Sequence, residues 1–392
     1  MRYIHISKTC SDKVFKELYD ESIVKPQQQD QKFHKMFVDG LKENNVKIDV
    51  ISSRSINRDN MKKVFFKRLV EKEGELTYHY LPFINIKLLR PLSLLFGLIF
   101  RLIKLSFRKR KEVVVYCDIL NTSLSFGVVL VTKILGIKRV AVVTDLPKYL
   151  DSGSSLFKNM THALAKKYHG YIILSKYMNE IINPKNKPWM LLEGMTYRQN
   201  ANMQTKTAEI TFLYTGGLAK SSGIETLLAA FDQLKKENIK LMIAGQGECV
   251  ETIKTYQERN YNISYLGTLI NSEVTILQRQ VHFLVSPRPS SDLQTKFAFP
   301  SKLIEYLSSG TPVLSTKLLG IPEDYLTYLN VIEDESVSGF IKALNHVLNA
   351  SYQELQEKAH QGQLFAHDNK NNVAQTKRVI TWTNQTFGSE RL

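Results

Sequence analysis

The sequence predicts an α/β protein built as two doubly wound, parallel-sheet, Rossmann-like domains that face each other across a cleft. Three observations predict it. Short apolar runs of strand length alternate with longer helical stretches, the order that parallel sheets wound on both faces require. The alternation stops once, over a polar stretch near residues 196–207, and then restarts. At 392 residues the chain exceeds one comfortable core and suits two.

In chain order, the first strands are expected at Arg2–Ile6, Val46–Ser52, Val113–Asp118, Val140–Thr144, Gly170–Leu174 and Met190–Leu192. Helices between them are expected at Gln31–Asn44, Ser123–Leu135 and Leu156–Tyr168. After the polar stretch, strands are expected at Ile210–Tyr214, Lys240–Ala244, Ile263–Leu266, Phe283–Val285 and Pro312–Leu314. Their helices are Gly223–Lys236, Cys249–Tyr261, Ser272–Arg279 and Pro300–Ser309. The domains so defined run 1–195 and 208–371, joined by a linker at 196–207. A last helix, about Asn372–Phe387 and carrying Trp382, is expected to return to the N-terminal domain, within a final segment 372–392.

Hydrophobic residues make up 43% and charged residues 23%, a globular and not a disordered balance. Cys10, Cys117 and Cys249 are odd in number and far apart, so neither a disulfide framework nor a zinc site is expected. The start, MRYIHISKTC, has no long apolar run behind its basic residue. No secretory leader is expected there, and a reducing, cytoplasmic location is.

The net charge of +16 is informative once divided. Residues 1–200 hold 35 Lys and Arg against 18 Asp and Glu, a balance of +17, and residues 201–392 hold 18 against 19. The excess therefore sits in one half and points to a polyanionic or membrane-surface partner for that half alone. Within it lies Ile86–Lys111, IKLLRPLSLLFGLIFRLIKLSFRKRK. Its apolar run is too short to span a bilayer. At helical spacing Leu95, Ile99, Leu102, Ile103 and Phe107 fall on one side, with Arg101, Lys104, Arg108 and Lys111 elsewhere. This reads as a helix lying in the interface of an anionic membrane. The competing reading is a core helix with a basic solvated end.

Ligands of open parallel sheets bind beyond the carboxyl ends of the strands, and the motifs lie there. Thr215-Gly216-Gly217-Leu218-Ala219-Lys220-Ser221-Ser222-Gly223 follows a strand and opens a helix. It reads as a plain tight turn or as a phosphate cradle. Ala244-Gly245-Gln246-Gly247-Glu248 repeats the pattern and reads as a structural turn or as the wall of a nucleotide site. The strongest signal is FAFPSKLIEYLSSGTPVL, from Phe297. Pro300 suits the first helical position. Ser301 and Glu305 share a face, and Lys302 sits three before Glu305. The helix start offers amides, a hydroxyl and an ammonium to an anion, and Glu305 offers an acceptor to a sugar diol. Arg288 lies just after a strand and adds a cation. A nucleoside diphosphate needs this set; a capped surface helix with a Lys302–Glu305 pair is the alternative.

FPSKLIEYLSSGTPVLST, with YTGGLAKSSGIETLLAAF, IAGQGE and YLGTL before it, resembles the C-terminal domain of family 4 glycosyltransferases of the GT-B fold, over roughly residues 210–325. VAVVTDLP, YIILSKYMNEII and WMLLEGM resemble the weaker landmarks of the N-terminal domain. The resemblance implies a retaining enzyme that moves a sugar from a nucleotide diphosphate sugar without a bound metal or other cofactor. It implies donor binding by Gly216, Gly217, Gly267, Thr268, Phe299, Pro300, Ser301, Lys302 and Glu305, with Glu305 as the second glutamate of the Glu-x7-Glu motif on the ribose. Phe297 stands where the first glutamate is usual, and Gly217 and Ser222 stand where the donor loop usually holds a cation. Lys220, Arg288 and Lys302 are the candidate replacements. Asp145, in Thr144-Asp145-Leu146-Pro147, stands near the usual N-domain histidine and reads as a catalytic or sugar-contacting group, or equally as a turn cap before Pro147. The expected catalytic set is Asp145, Arg288 and Lys302.

These features lead to a membrane-associated glycosyltransferase of capsule, exopolysaccharide or other surface-glycan assembly. Its N-terminal half would take a lipid-linked glycan acceptor on the inner face of the cell membrane, with residues 86–111 on the anionic surface. Gln31, Lys32 and His34, in a polar loop QQQDQKFH, are placed near the acceptor or donor, or in a solvated loop. The alternatives are a non-catalytic accessory subunit, favoured by Phe297; a nucleic-acid-binding protein, which would want an aromatic-and-basic motif the chain lacks; and a sugar-nucleotide epimerase, which would need no basic apolar helix.

Overall fold

A computed structural model describes residues 1–26, 28–150, 154–198, 205–234 and 236–388. The chain divides into two compact units, Met1–Met195 with Asn372–Leu392, and Thr196–Asn371.

The first unit opens with β1 (Arg2–Ser7), α1 (Asp12–Glu21), α2 (Gln28–Glu43), β2 (Ile48–Ser52), β3 (Phe65–Phe66), β4 (Leu69–Glu73), β5 (Leu76–Tyr80) and β6 (Phe83–Ile84). It continues with α3 (Leu89–Ser106), β7 (Val113–Asp118), α4 (Thr122–Leu135), β8 (Lys138–Val143), α5 (Ser155–Ala165), β9 (Gly170–Ile173), α6 (Lys176–Ile182) and β10 (Trp189–Leu191). Eight strands form one sheet in the order β10-β9-β8-β7-β1-β2-β5-β4. β1, β2 and β7 are buried along nearly their whole length, which is why they read as unbroken apolar runs.

One edge departs from the parallel expectation. β4 pairs antiparallel with β5, through a turn at Gly74 with φ of 64°. A two-strand reversal of this kind needs only a tight turn, not a helical crossover. β4 is VEKE-rich and exposed, so it lacks an apolar signature.

The second unit contains β11 (Ile210–Thr215), α7 (Ile224–Leu234), β12 (Ile239–Ala244), α8 (Val250–Arg259), β13 (Ile263–Tyr265), α9 (Asn271–Gln280) and β14 (Phe283–Ser286). It closes with α10 (Ser301–Ser309), β15 (Val313–Thr316), α11 (Glu323–Leu326), β16 (Asn330–Ile332), α12 (Val337–Asn349) and α13 (Tyr352–Asn369). Its six-stranded sheet runs β13-β12-β11-β14-β15-β16, with every pair parallel. Phe212, Leu228, Phe231, Leu241, Ile243 and Val285 are at the centre of its core. The expected linker is anchored to this unit at both described ends. Thr196 bridges Asn371, and Lys206 Nζ donates to the carbonyl of Val281 at 2.7 Å. Residues 199–204 of it lie outside the described residues.

α14 (Asn372–Phe387) belongs to the first unit and packs along α2. Gly40 makes this possible: a Cβ there would collide with the carbonyl oxygen of Asn372. Asn44 Nδ2 ties the two helices by donating to the Val373 carbonyl at 2.9 Å, and Tyr116 Oη meets Thr383 Oγ1 at 2.6 Å. Gln28–His34 of the polar stretch QQQDQKFH form the start of α2 and not a loop. Gln31 is buried, and its amide both donates to the Cys10 carbonyl and accepts from the Cys10 amide. His34 is buried too, 3.2 Å from His5.

Candidate donor site

β11 and β14 are neighbours, yet β12 follows β11 on the other side. The chain therefore leaves the sheet in opposite directions from two adjacent strands, which opens a crevice at their carboxyl ends. The Gly216 turn ends β11, and Ser286-Pro287-Arg288 ends β14.

Gly216 has φ of 134°, a backbone region that favours glycine. A Cβ on it would collide with Lys302 Nζ. That clash locates the ammonium: Lys302 reaches from the first turn of α10 and rests on the Gly216 backbone. There it lies 4.1 Å from the centre of the Tyr214 ring. The Tyr214 hydroxyl donates to the Gly217 carbonyl at 2.6 Å, so one tyrosine holds both the cation and the turn. A side chain at Gly217 would meet no atom within 4 Å, which leaves the outer side of the turn open.

The turn is braced from behind. The Gly216 amide donates to the Ala244 carbonyl at 2.9 Å, and the Leu218 amide donates to the Gln246 carbonyl at 2.9 Å. A Cβ on Gly245 would collide with the Gly216 carbonyl, so the second glycine turn is the wall against which the first is set. Gly267 receives the Gly245 amide at 2.8 Å and has φ of 72°. Thr268 beside it is exposed.

α10 starts at Ser301, with Pro300 as its N-cap and no side chain capping the amides. The expected helix is thus one residue shorter at its start. An uncapped helix start keeps free N–H groups for an anion. Ser301 is exposed there, and Glu305 is half-buried one turn on. Tyr306, fully buried, pins α10 to β11 by accepting the Thr215 amide at 2.9 Å. Gly310, at φ of 73°, ends the helix.

Other expected residues are placed differently. Arg288 sits behind the crevice strand as expected, but its Nη2 pairs with Asp292 at 3.2 Å. Gly223 lies against Pro287 and Arg288 and has no room for a side chain. Lys220 is exposed, and its amide is taken by Glu248 at 2.8 Å. Phe299 is buried, its ring 5.2 Å from that of Tyr325, so it supports the α10 start from beneath. Phe297, the residue in place of a glutamate, carries Lys296 Nζ 4.7 Å over its ring. In the first unit, Asp145 follows β8 and is exposed, and Leu146 holds the N-cap of the short 3-10 turn Pro147–Tyr149.

Sequence reading missed Tyr214 and Tyr306, because an aromatic in a strand or helix pattern reads as core. Ser222, which stands where a loop cation is usual, has its hydroxyl buried without a hydrogen-bond partner next to Gly223.

Residues 209–350 match the family model described as glycosyl transferases group 1. No curated protein matches the sequence. Among solved structures, sucrose-phosphate synthase from Thermosynechococcus elongatus superposes with a TM-score of 0.68 at 12% identity, over 100% of both chains. The apo form of the lipopolysaccharide outer core galactosyltransferase WaaB gives 0.63 at 14% identity, over 98% of this chain and 99% of that one. TarM gives 0.66 at 12% identity, over 98% and 99%.

The chain has the GT-B fold, and its residues 209–350 resemble the glycosyl transferases group 1.

The matched segment contains β11 to α12, and with them the Gly216 turn, Lys302 and Glu305.

Proposed function

We propose that the chain is a retaining, family 4 type glycosyltransferase that moves a sugar from a nucleotide diphosphate sugar to a lipid-linked glycan in surface-polysaccharide assembly. One observation carries the donor half of this reading: the Lys302 ammonium rests on the Gly216 turn beside the uncapped start of α10. The diphosphate lies across that turn, its charge facing Lys302 and the α10 amides. Glu305 accepts from the ribose hydroxyls. TarM of S. aureus has been solved, as a variant, in complex with UDP, fondaparinux and α-GlcNAc-glycerol, which favours a similar division of donor and acceptor here.

The chemistry follows from charge. As the sugar–oxygen bond breaks, negative charge grows on the leaving phosphate. A fixed cation and fixed amides stabilise that charge more than the ground state. The acceptor hydroxyl attacks the face from which the phosphate departs, and the phosphate oxygen takes its proton. No separate base or metal is called for in this scheme. Arg288 contributes after release from Asp292 or acts through the backbone it anchors. Asp145 is proposed to meet the sugar or the acceptor.

The acceptor half rests on the first unit. α3 exposes Leu89, Leu92, Phe96, Phe100 and Ile103, at steps of three or four residues along one stripe that Phe107 continues just past its end. No described helix is long and apolar enough to cross a membrane. A stripe of this kind with Lys104, Arg108 and Arg110 exposed alongside suits the interface of an anionic inner leaflet. α4, which packs on α3, adds exposed Phe126, Leu130 and Ile134.

The test is transfer of radiolabelled sugar from a panel of nucleotide sugars into the organic phase of a membrane extract, with and without EDTA. Label entering lipid, unaffected by EDTA, is expected. Transfer that EDTA abolishes and a divalent ion restores contradicts the metal-free scheme. No transfer with any donor returns weight to an accessory role.

A further inference from the structure

Behind the exposed stripe of α3 lies a cavity of about 260 Å³ within the first unit. Its floor is Tyr80, Leu81, Pro82 and Gly97; its rim is Arg68, Phe100, Arg101 and Lys104. The floor is apolar and the rim carries three cations. No acid lines it. Arg101 Nη2 is buried and has no hydrogen-bond partner. The carboxylate that acts on Arg101 electrostatically is Asp49, and Asp49 is already engaged, at Oδ2 by Arg2 and at Oδ1 by His79. Burial and the neighbouring Arg68 both disfavour the charge on Arg101. A buried guanidinium N–H without an acceptor is expensive to keep.

Gly97 sharpens the point. A glycine inside a helix weakens it. Nothing next to the backbone demands one here, since a Cβ would meet Pro82 at 3.5 Å and Leu81 at 3.7 Å, ordinary contacts. What the glycine does is leave the cavity open. Phe100, on the rim, is 74% exposed and also belongs to the stripe, so the cavity opens onto the surface proposed to meet the bilayer.

We propose that this cavity is a binding site for the phosphate of an anionic membrane lipid, with Arg101, Arg68 and Lys104 on the phosphate and the first methylenes over Pro82 and Gly97. The proposal rests on the membrane-facing reading of α3 and deepens it, by adding a discrete site to a diffuse charged surface. The phosphate supplies the acceptor that Arg101 lacks, and the bidentate geometry of a guanidinium suits it.

The test uses the full chain and a monomeric lipid phosphate, dihexanoyl phosphatidic acid, by isothermal titration. Controls are dihexanoyl phosphatidylcholine and inorganic phosphate. Saturable binding of the phosphatidic acid is expected, weakened roughly fivefold by Arg101→Gln and lost in Gly97→Phe, which keeps the charge and fills the cavity. Equal binding by Gly97→Phe and wild type overturns the site. Equal binding of inorganic phosphate overturns the lipid assignment, and equal binding of phosphatidylcholine overturns the role of charge. Should Gly97→Phe fail to fold, the double variant Arg101→Gln, Lys104→Gln decides, and unchanged affinity in it overturns the proposal. Sedimentation with equimolar phosphatidylcholine and phosphatidylglycerol vesicles separates the two readings. Vesicle binding that Gly97→Phe retains, with no binding of the monomeric lipid, removes the cavity site and spares the membrane face.

Discussion

Lys302 is the residue on which the donor reading turns. Its ammonium is held by a ring below and a glycine beside it, so it is positioned before any ligand arrives. Preorganised charge of this kind is worth about 10²–10³ in kcat when removed. Lys302→Met is therefore expected to lower kcat by about a hundredfold, with the unfolding temperature nearly unchanged, as read by transfer assay and calorimetry. Gly216→Ala is expected to lower activity as severely by displacing the same ammonium. Both residues were legible, because glycine after a strand and lysine after Pro-Ser carry their chemistry in their spacing. The state of Arg288 was not. Its partner Asp292 is four residues on in an irregular segment, where spacing does not decide which side chains meet.

At the scale of the element, α3 shows what periodicity does and does not give. Its apolar character and its basic end were plain. The direction of its face was not: Leu94, Leu98 and Leu102 are buried, while Phe96, Phe100 and Ile103 are exposed. Of the residues expected to share the membrane side, Leu102 is fully buried and Leu95 and Ile99 are half-buried, with Leu95 abutting Gly127 of α4. A helix with apolar residues on its exposed side as well as its buried one does not name its core side by pattern, so only packing assigns it. Phe96→Asp with Phe100→Asp is expected to abolish sedimentation with anionic vesicles while leaving the circular dichroism spectrum intact. Retained sedimentation would remove α3 from the membrane face. α2 gives a second case. Alanine normally improves a helix over glycine, yet Gly40→Ala is expected to destabilise by about 1–3 kcal/mol, because its methyl meets the Asn372 carbonyl. Urea unfolding measures the sign directly.

Across the whole molecule, buried and half-buried histidines make stability depend on pH. His5 is held well below its ordinary pKa of 6.5, by burial and then by His34. Burial, with Lys166 and Lys148, lowers His162 to about 4. Burial, with Arg139, Lys138 and Lys187, lowers His169 to about 4. His282 and His367 are lowered by burial as well. The unfolded chain thus takes up protons at a higher pH than the folded one. Stability present above about pH 6.5 is lost as the pH falls towards about 4. Calorimetry should show the unfolding temperature falling throughout that window; a flat or rising profile would contradict it. The sequence conveyed the two-sheet plan because parallel strands buried on both faces must be apolar throughout. The charged edge strand β4 and the elements α11 to α13 escaped it, since an exposed edge and polar helices such as α13 are written in loop-like composition.

In the proposed donor complex a nucleoside diphosphate sits on the Gly216 turn against Lys302. The test is isothermal titration of UDP, GDP and dTDP into wild type, Lys302→Met and Glu305→Ala. Saturable binding of one of these nucleotides by the wild type is expected, weakened about tenfold or more in each variant by loss of a charge-assisted contact. Binding of equal strength in all three proteins, or none by the wild type, would contradict it.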